Sequence, residues 1–395
     1  MAKLIEITGK AMSGEWGDDD ASGNGIPVLR TTNFTNIGVI DFSNVVTRSI
    51  KRANISNKFL RNGDIIIEKS GGSDKQPVGR VVYFEAEEKK YLFNNFTGLL
   101  RVIDDSVCYS KYLFYVLFNN YNIGGTIPYQ NKTTGLHNLK TDDYVKKVEI
   151  PLPPLETQKQ IAANLDKVTH TINLCNEILE KLDLLVKSRF VEMFGDPVLN
   201  NKNWLQVTVG DLCFVTKLAG FEYTDYIHYQ DTGDVIMIRG LNVKDKKLKL
   251  DDIYYIDSSV SDMLPRSQLK ENDIVMTYVG VNIGDVALVD GKHRYHLAPN
   301  VAKISLNNLD KLNPVFFVNL LAFNKENFAS NATNTAKQAL NMDKIRKLQI
   351  MLPTLDLQTQ FADFVTQTDK SKLAVKHVLE KAETLKKALM QEYFG

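Results

Sequence analysis

Two histidines three residues apart, His293 and His296, and a run of three aspartates, Asp18 to Asp20, are the first places to look for metal chemistry in this chain. Two His at i, i+3 in a Gly/Lys-rich turn bind no metal without further ligands, and the acidic run reads as a solvated loop. Cys108, Cys175 and Cys213 stand alone, with no paired spacing for zinc or for a disulfide framework. No local Ser/His/Asp or Cys/His signature marks a nucleophile. A Gly-x-x-x-x-Gly-Lys-Ser/Thr loop is absent, so ATP hydrolysis is not expected, and no Gly-x-Gly-x-x-Gly opens a helix. Adenine methylation would need an Asn/Asp-Pro-Pro-Tyr/Phe loop around a flipped base. The one Pro-Pro pair, Pro153-Pro154, has the wrong neighbours. A stand-alone nuclease would need a carboxylate–Lys cluster, and none is recognisable. The residues predict a chain that is not an enzyme, with no metal site and no cofactor of its own.

What the sequence does contain is itself, twice. Residues 150–158 read Ile-Pro-Leu-Pro-Pro-Leu-Glu-Thr-Gln, and residues 350–358 read Ile-Met-Leu-Pro-Thr-Leu-Asp-Leu-Gln, an offset of 200. Glu192-Met193-Phe194-Gly195 and Glu392-Tyr393-Phe394-Gly395 keep that offset. Upstream, Ile26 to Arg30 answers to Val235 to Arg239, and Leu60-Arg61-Asn62-Gly63-Asp64-Ile65 to Leu269-Lys270-Glu271-Asn272-Asp273-Ile274, both at offset 209. The drift from 209 to 200 means a few insertions and deletions inside the repeats. Such a chain suggests a pseudo-two-fold molecule with a two-fold or bipartite partner.

Four segments follow: a strand-rich domain over 1–150, a spacer helix within 151–195, a second strand-rich domain over 196–350, and a second spacer helix within 351–395. Short β-branched runs punctuated by Gly, Asn and Asp mark the domains as mostly β, with minor helices such as Lys111–Phe118. In the first long helix Ile161, Leu165, Val168, Ile172, Cys175, Leu179, Leu182 and Val186 step by threes and fours, the seam of a coiled coil. In the second, Phe361, Val365, Val375, Leu379 and Leu389 hold the equivalent steps, interrupted by Thr368, Lys372 and Lys386. A helix of about 40 residues spans roughly 60 Å. It cannot bury its seam inside one domain, so the two helices are expected to pair antiparallel with a domain at each end. The fold class is therefore α+β: two mostly β domains separated by a long antiparallel helical coiled coil.

Pro151, Pro153 and Pro154 stiffen the exit from the last strand, and Glu156 places an acid at the positive end of the helix. The formal net charge is +1, so any nucleic-acid surface must be a local patch. No apolar run approaches the roughly 18 residues of a membrane span. The N-terminus lacks a signal-peptide core. A reducing cytoplasmic setting is expected from the isolated cysteines.

The run over 150–166, the Leu60–Ile65 strand and the Ala219-Gly220-Phe221-Glu222-Tyr223-Thr224 segment together resemble specificity subunits of type I restriction–modification enzymes. The order domain, helix, domain, helix matches over the whole chain. Met351 and Thr354 depart from the family's prolines, and the first repeat lacks the Trp204-to-Leu212 lead-in of the second. The resemblance implies two target-recognition domains, each reading one half of a bipartite, asymmetric sequence in double-stranded DNA, with the paired helices as the ruler that sets the unread gap. It implies partners: two methyltransferase subunits and restriction–translocase subunits, to which S-adenosylmethionine, ATP and Mg²⁺ belong.

Base reading calls for Arg or Lys to guanine and Asn or Gln to adenine, on loops that reach the major groove. Two loops per domain have that composition. The first follows the Gly-Asp-Ile or Asn-Asp-Ile strand: Lys69, Ser70, Ser73, Lys75, Gln76 and Arg80 in one repeat, and Tyr278, Asn282 and Lys292 in the other. The second precedes the junction: Tyr129, Gln130, Asn131, Lys132, Thr133 and Thr134, and then Asn331, Thr333, Asn334, Thr335, Lys337 and Gln338. Arg30 and Arg239 share one strand position, as phosphate clamps or as partners of local carboxylates. The competing reading is a non-catalytic scaffold whose coiled coil joins two heads for protein or sugar ligands.

Overall fold

The structure, a computed structural model, describes residues 1–21, 23–51, 55–133, 136–330 and 340–395. The chain forms two compact units. One holds Met1–Leu174 with Val378–Gly395, the other Cys175–His377. Each thus takes one strand-rich domain and part of each long helix. These helices are continuous over Leu155–Phe194 and Leu355–Phe394, 40 residues apiece. The fold is α+β, with two mostly β domains and two long helices.

In the first unit a four-stranded sheet runs in the order Met12–Ser13, Thr97–Leu100, Ile65–Glu68, Val81–Tyr83, all antiparallel. Ile65 and Ile67 face a core shared with the helix Ser110–Asn122 and with Ala162, Leu165 and Met390 of the long helices. Ile66, between them, faces a second core with Phe84, Phe93 and Leu99. A strand buried on both faces needs an unbroken apolar run, and Ile-Ile-Ile supplies it. The second unit repeats the device. Ile274 and Met276 enter one core with Phe190 and Phe361, and Val275 enters another with Ile236 and Leu297.

The repeats also share their joints. Gly63 (φ 95°) and Asn272 (φ 68°) take the left-handed conformation before the equivalent aspartates. Asp64 then accepts from the Arg61 N–H (2.8 Å), and Asp273 from the Lys270 N–H (2.8 Å). The short start of the first repeat still covers its edge: Ala2–Lys3 pairs with Glu149–Ile150, as Gln206–Thr208 pairs with Gln349–Met351. The proline-led junctions hold a feature that composition did not reveal. Gln158 is fully buried; its Oε1 accepts from Tyr109 N–H (2.8 Å) and its amide donates to Val107 O (3.0 Å) and Pro153 O (2.9 Å). Gln358 does the same with Asn313 N–H (2.8 Å), Lys311 O (3.2 Å) and Pro353 O (2.9 Å).

Within each unit the long-helix segments run antiparallel. Asn164 donates to Tyr393 (3.2 Å) in the first. In the second, Lys372 pairs with Asp183 (2.6 Å), and the Phe361 ring lies 5.3 Å from Phe190 and 5.6 Å from Phe194. Of the seam residues, Leu165, Cys175, Val186, Phe361 and Val365 are buried. Ile161, Val168, Ile172, Leu179, Leu182, Val375, Leu379 and Leu389 are half-buried. Lys372, read as an interruption, is held by Asp183 and Asp369 instead.

Candidate nucleic-acid interface

The first domain brings its two polar stretches together. Where Ile65–Glu68 ends, Lys69 donates its backbone N–H to Phe96 O (2.8 Å), and its carbonyl accepts from Leu139 N–H (2.8 Å). Ser70–Gly72 continues as a strand beside Leu136–Leu139, which pairs in turn with Gln130–Thr133. One three-stranded sheet therefore carries Ser70 and the Gln130–Thr133 strand, and the turn holding Ser73, Lys75 and Gln76 leads out of it. Gln130 and Lys132 stand opposite Leu139 and His137 in register, and Asn131 opposite Asn138.

Individual residues differ in how free they are to meet a ligand. Lys75 and Asn131 are exposed. Ser73 is exposed too, and its hydroxyl accepts from the Gln76 N–H (3.2 Å). The Gln76 amide lies 3.0 Å from Asn36 Oδ1. Lys69 reaches Ser13 Oγ (2.8 Å); partial burial lowers its pKa, opposed by the nearby Asp142. Lys132 and Thr133 lie in their strand, while Thr134 falls outside the described residues.

Arg80 is engaged within the fold. Its guanidinium forms a two-pronged pair with Glu68 (3.0 and 2.9 Å) and donates to Phe34 O (3.1 Å) and Thr31 O (3.3 Å). Its side chain is 15% exposed and that of Glu68 3%. The Glu68 hydrogen bonds raise the Arg80 pKa above its usual value. This arginine neutralises a buried acid and has few donors left for DNA.

The second domain uses the same strand end with other side chains. Tyr278 takes the place of Lys69: its N–H donates to Asn300 O (3.0 Å), and its carbonyl accepts from Leu340 N–H (2.9 Å). The Lys217 ammonium lies 5.4 Å from the Tyr278 ring. The loop beyond it exposes Val281 and Asn282. Asn334, Lys337 and Gln338, with the rest of 331–339, fall outside the described residues.

Lys292 and Arg239 are also engaged by local carboxylates, Asp290 and Asp252. Lys292 lies past the far end of Val286–Leu288, a strand antiparallel to Ile274–Thr277. Its turn comes back beside Glu271, and its ammonium faces Asp290 at 3.8 Å. A three-residue strand thus parts it from Tyr278 and Asn282. Arg239 pairs with the carboxylate and carbonyl of Asp252 (both 2.8 Å) and lies 4.5 Å over the Tyr254 ring. Arg30 donates to Asn44 O (3.3 Å). The same asparagine follows both arginines. Asn33 and Asn242, three positions on, accept through Oδ1 from the arginine's backbone N–H (2.9 and 3.0 Å) and donate twice through Nδ2 to backbone carbonyls, so this asparagine joint recurs in both repeats.

His296 is buried in its strand with Nδ1 beside Leu297 O, away from any ligand set, and among the described residues no three His, Cys, Asp or Glu side chains come together as a metal requires. Among the described residues no helix is long and apolar enough to cross a membrane.

Comparison with known proteins agrees with this layout. The family model described as the type I restriction modification DNA specificity domain matches twice, over residues 2–184 and 201–385. The chain is 23% identical over 380 residues to the putative type I restriction enzyme MjaX specificity subunit of Methanocaldococcus jannaschii, covering 93% of this chain and 85% of that one. It is 22% identical over 288 residues to the EcoBI specificity subunit of Escherichia coli, covering 62% of this chain and 57% of that one. The fold is similar to the crystal structure of a type I restriction-modification S subunit from M. genitalium, with a TM-score of 0.63, 13% identity, and coverage of 100% of this chain and 95% of the other. With two copies of the recognition domain on one strand-end scaffold and its whole length matched, the chain belongs to the type I restriction–modification specificity-subunit family, a non-catalytic component whose role is DNA sequence recognition.

Proposed function

We propose that the two domains, 1–150 and 196–350, each read one half of a bipartite, asymmetric sequence in double-stranded DNA. The observation that carries this is the shared strand end with unlike side chains. Lys69 and the Asn131 hairpin occupy it in the first domain, and Tyr278 and Asn282 in the second. One scaffold with two sets of donors and acceptors suits two different half-sites, whereas identical heads would suit a palindrome. Family members assemble with methyltransferase and restriction subunits and bind DNA. In this reading the chain serves two methyltransferase subunits and, with restriction–translocase subunits, directs adenine methylation and ATP-dependent cleavage. S-adenosylmethionine, ATP and Mg²⁺ are held by those partners, in the cytoplasm, and the long helices set the unread gap. The competing scaffold for protein or sugar ligands is not favoured by the family match.

The test uses the purified chain with and without its methyltransferase partner. The chain alone should transfer no methyl group from S-adenosylmethionine, and the complex should methylate one split motif. Methylation by the chain alone, or by the complex without sequence preference, would overturn the proposal.

A further inference from the structure

The second domain carries an aromatic helix whose rings its fold covers only in part. The two-turn helix Gly220–Tyr226 leaves Phe221 65%, Tyr223 37% and Tyr226 43% exposed. Burial of large apolar side chains is favourable, and three rings left largely in solvent on one short helix forgo it. The helix is nevertheless held firmly. Glu222 accepts from the Ala219 N–H (2.9 Å) and pairs with Arg266 (2.9 Å). The Tyr223 ring lies 6.2 Å from Tyr229, which stacks on Tyr254 at 5.4 Å and 17°, and Arg239 covers Tyr254. Arg239 thus braces this ring stack.

Position decides what the surface faces. The strand Cys213–Lys217 runs directly into this helix, and its last residue, Lys217, sits over Tyr278. Lys217 and Thr277 pair with Ala302 and Val301, next to each other on one strand. The helix therefore continues the edge that bears the Tyr278 loop. The corresponding stretch of the first domain, between Ser13 and Ile26, is acidic, and its one ring, Trp16, is covered by Arg48 at 4.1 Å.

We propose that Gly220–Tyr226 is a second DNA-contacting element of the second domain, seating its rings against sugar and base faces beside the stretch met by the Tyr278 loop. This rests on the DNA-reading role proposed above. Aromatic and apolar side chains meet duplex DNA through thymine methyls and as wedges at base steps, and tyrosine hydroxyls donate to phosphates. Lys217 supplies a neighbouring cation for the backbone. The element is specific to one half-site, because the first domain has no equivalent.

The experiment uses the assembled complex with methyltransferase subunits on a duplex bearing its own methylated motif, with Kd measured across roughly 50 to 200 mM salt. The combined variant Phe221→Ala/Tyr223→Ala/Tyr226→Ala should bind about ten-fold or more weakly, with an unchanged slope of log K against log salt, because rings displace no counterions. Lys217→Ala should instead lower that slope by about one. Phe221→Ser alone, at the most exposed ring, should weaken binding with no change in thermal unfolding, which guards against misfolding of the triple variant. Unchanged affinity in both aromatic variants overturns the inference. So does failure of the folded variants to join the methyltransferase, which would make this face a protein interface. Lys75→Ala in the first domain separates the two levels. If it weakens binding while the aromatic variants do not, only this inference falls; if none of them does, the DNA reading itself falls.

Discussion

Two cations of one loop, Lys75 and Arg80, look alike in sequence and differ in what surrounds them. Lys75 is exposed in the turn after Ser70–Gly72, while Arg80 is spent on Glu68 and two carbonyls. Removing one partner of a buried pair leaves an uncompensated charge and costs about 3–5 kcal/mol. Arg80→Ala should therefore shift the urea midpoint of the first unit strongly, and Glu68→Gln should restore part of the loss. Lys75→Ala should leave that midpoint unchanged and weaken DNA binding by the complex, with a salt slope lower by about one. A stable Arg80→Ala protein that binds DNA poorly would return Arg80 to the reading surface. Composition selected both residues because it sees side-chain type. It could not see that Glu68, the last residue of an otherwise apolar strand, needs an arginine. The same limit applies to Lys292, since only the register of Val286–Leu288 against Ile274–Thr277 places it at the opposite end from Tyr278.

The junction between domain and helix is where sequence and structure meet most closely. The prolines, the acidic helix start and the 40-residue length of both helices are local features, and local features are legible. The pairing of Ser70–Gly72 with Leu136–Leu139 is not, because strand partners far apart in sequence leave no periodic trace. Gln158 and Gln358 fall between these cases. Their recurrence at offset 200 was visible, but their burial was not. Each satisfies one N–H and two carbonyls, and so ties the helix start to the loop before the domain's own helix. Gln158→Ala should cost roughly 1–3 kcal/mol in the first unit, and Gln358→Ala the same in the second. Gln158→Glu should cost more, since a buried carboxylate would face the Val107 and Pro153 carbonyls. Chemical denaturation followed by a probe in each unit checks this. Loss of stability in the wrong unit, or in neither, would mean that these glutamines do not hold the joints.

At the scale of the whole chain, the two units repeat one plan: the doubly buried strand, the capped arginine, the buried glutamine and the paired first and last strands. What differs is the polar surface at the strand ends, where one unit presents the Asn131 hairpin and the other presents Tyr278, Asn282 and an aromatic helix. A net charge of +1 suits the proposed reading, in which recognition is left to local polar edges. The central claim is that each edge reads its own half-site. The most direct measurement replaces residues 1–150 with the equivalent domain of another family member, leaves both long helices and the second domain intact, and maps modified adenines in cells that carry the methyltransferase partner. The account predicts a methylated motif with one half replaced, the other half kept and the unread gap unchanged. A swap that altered both halves, or neither, would contradict it.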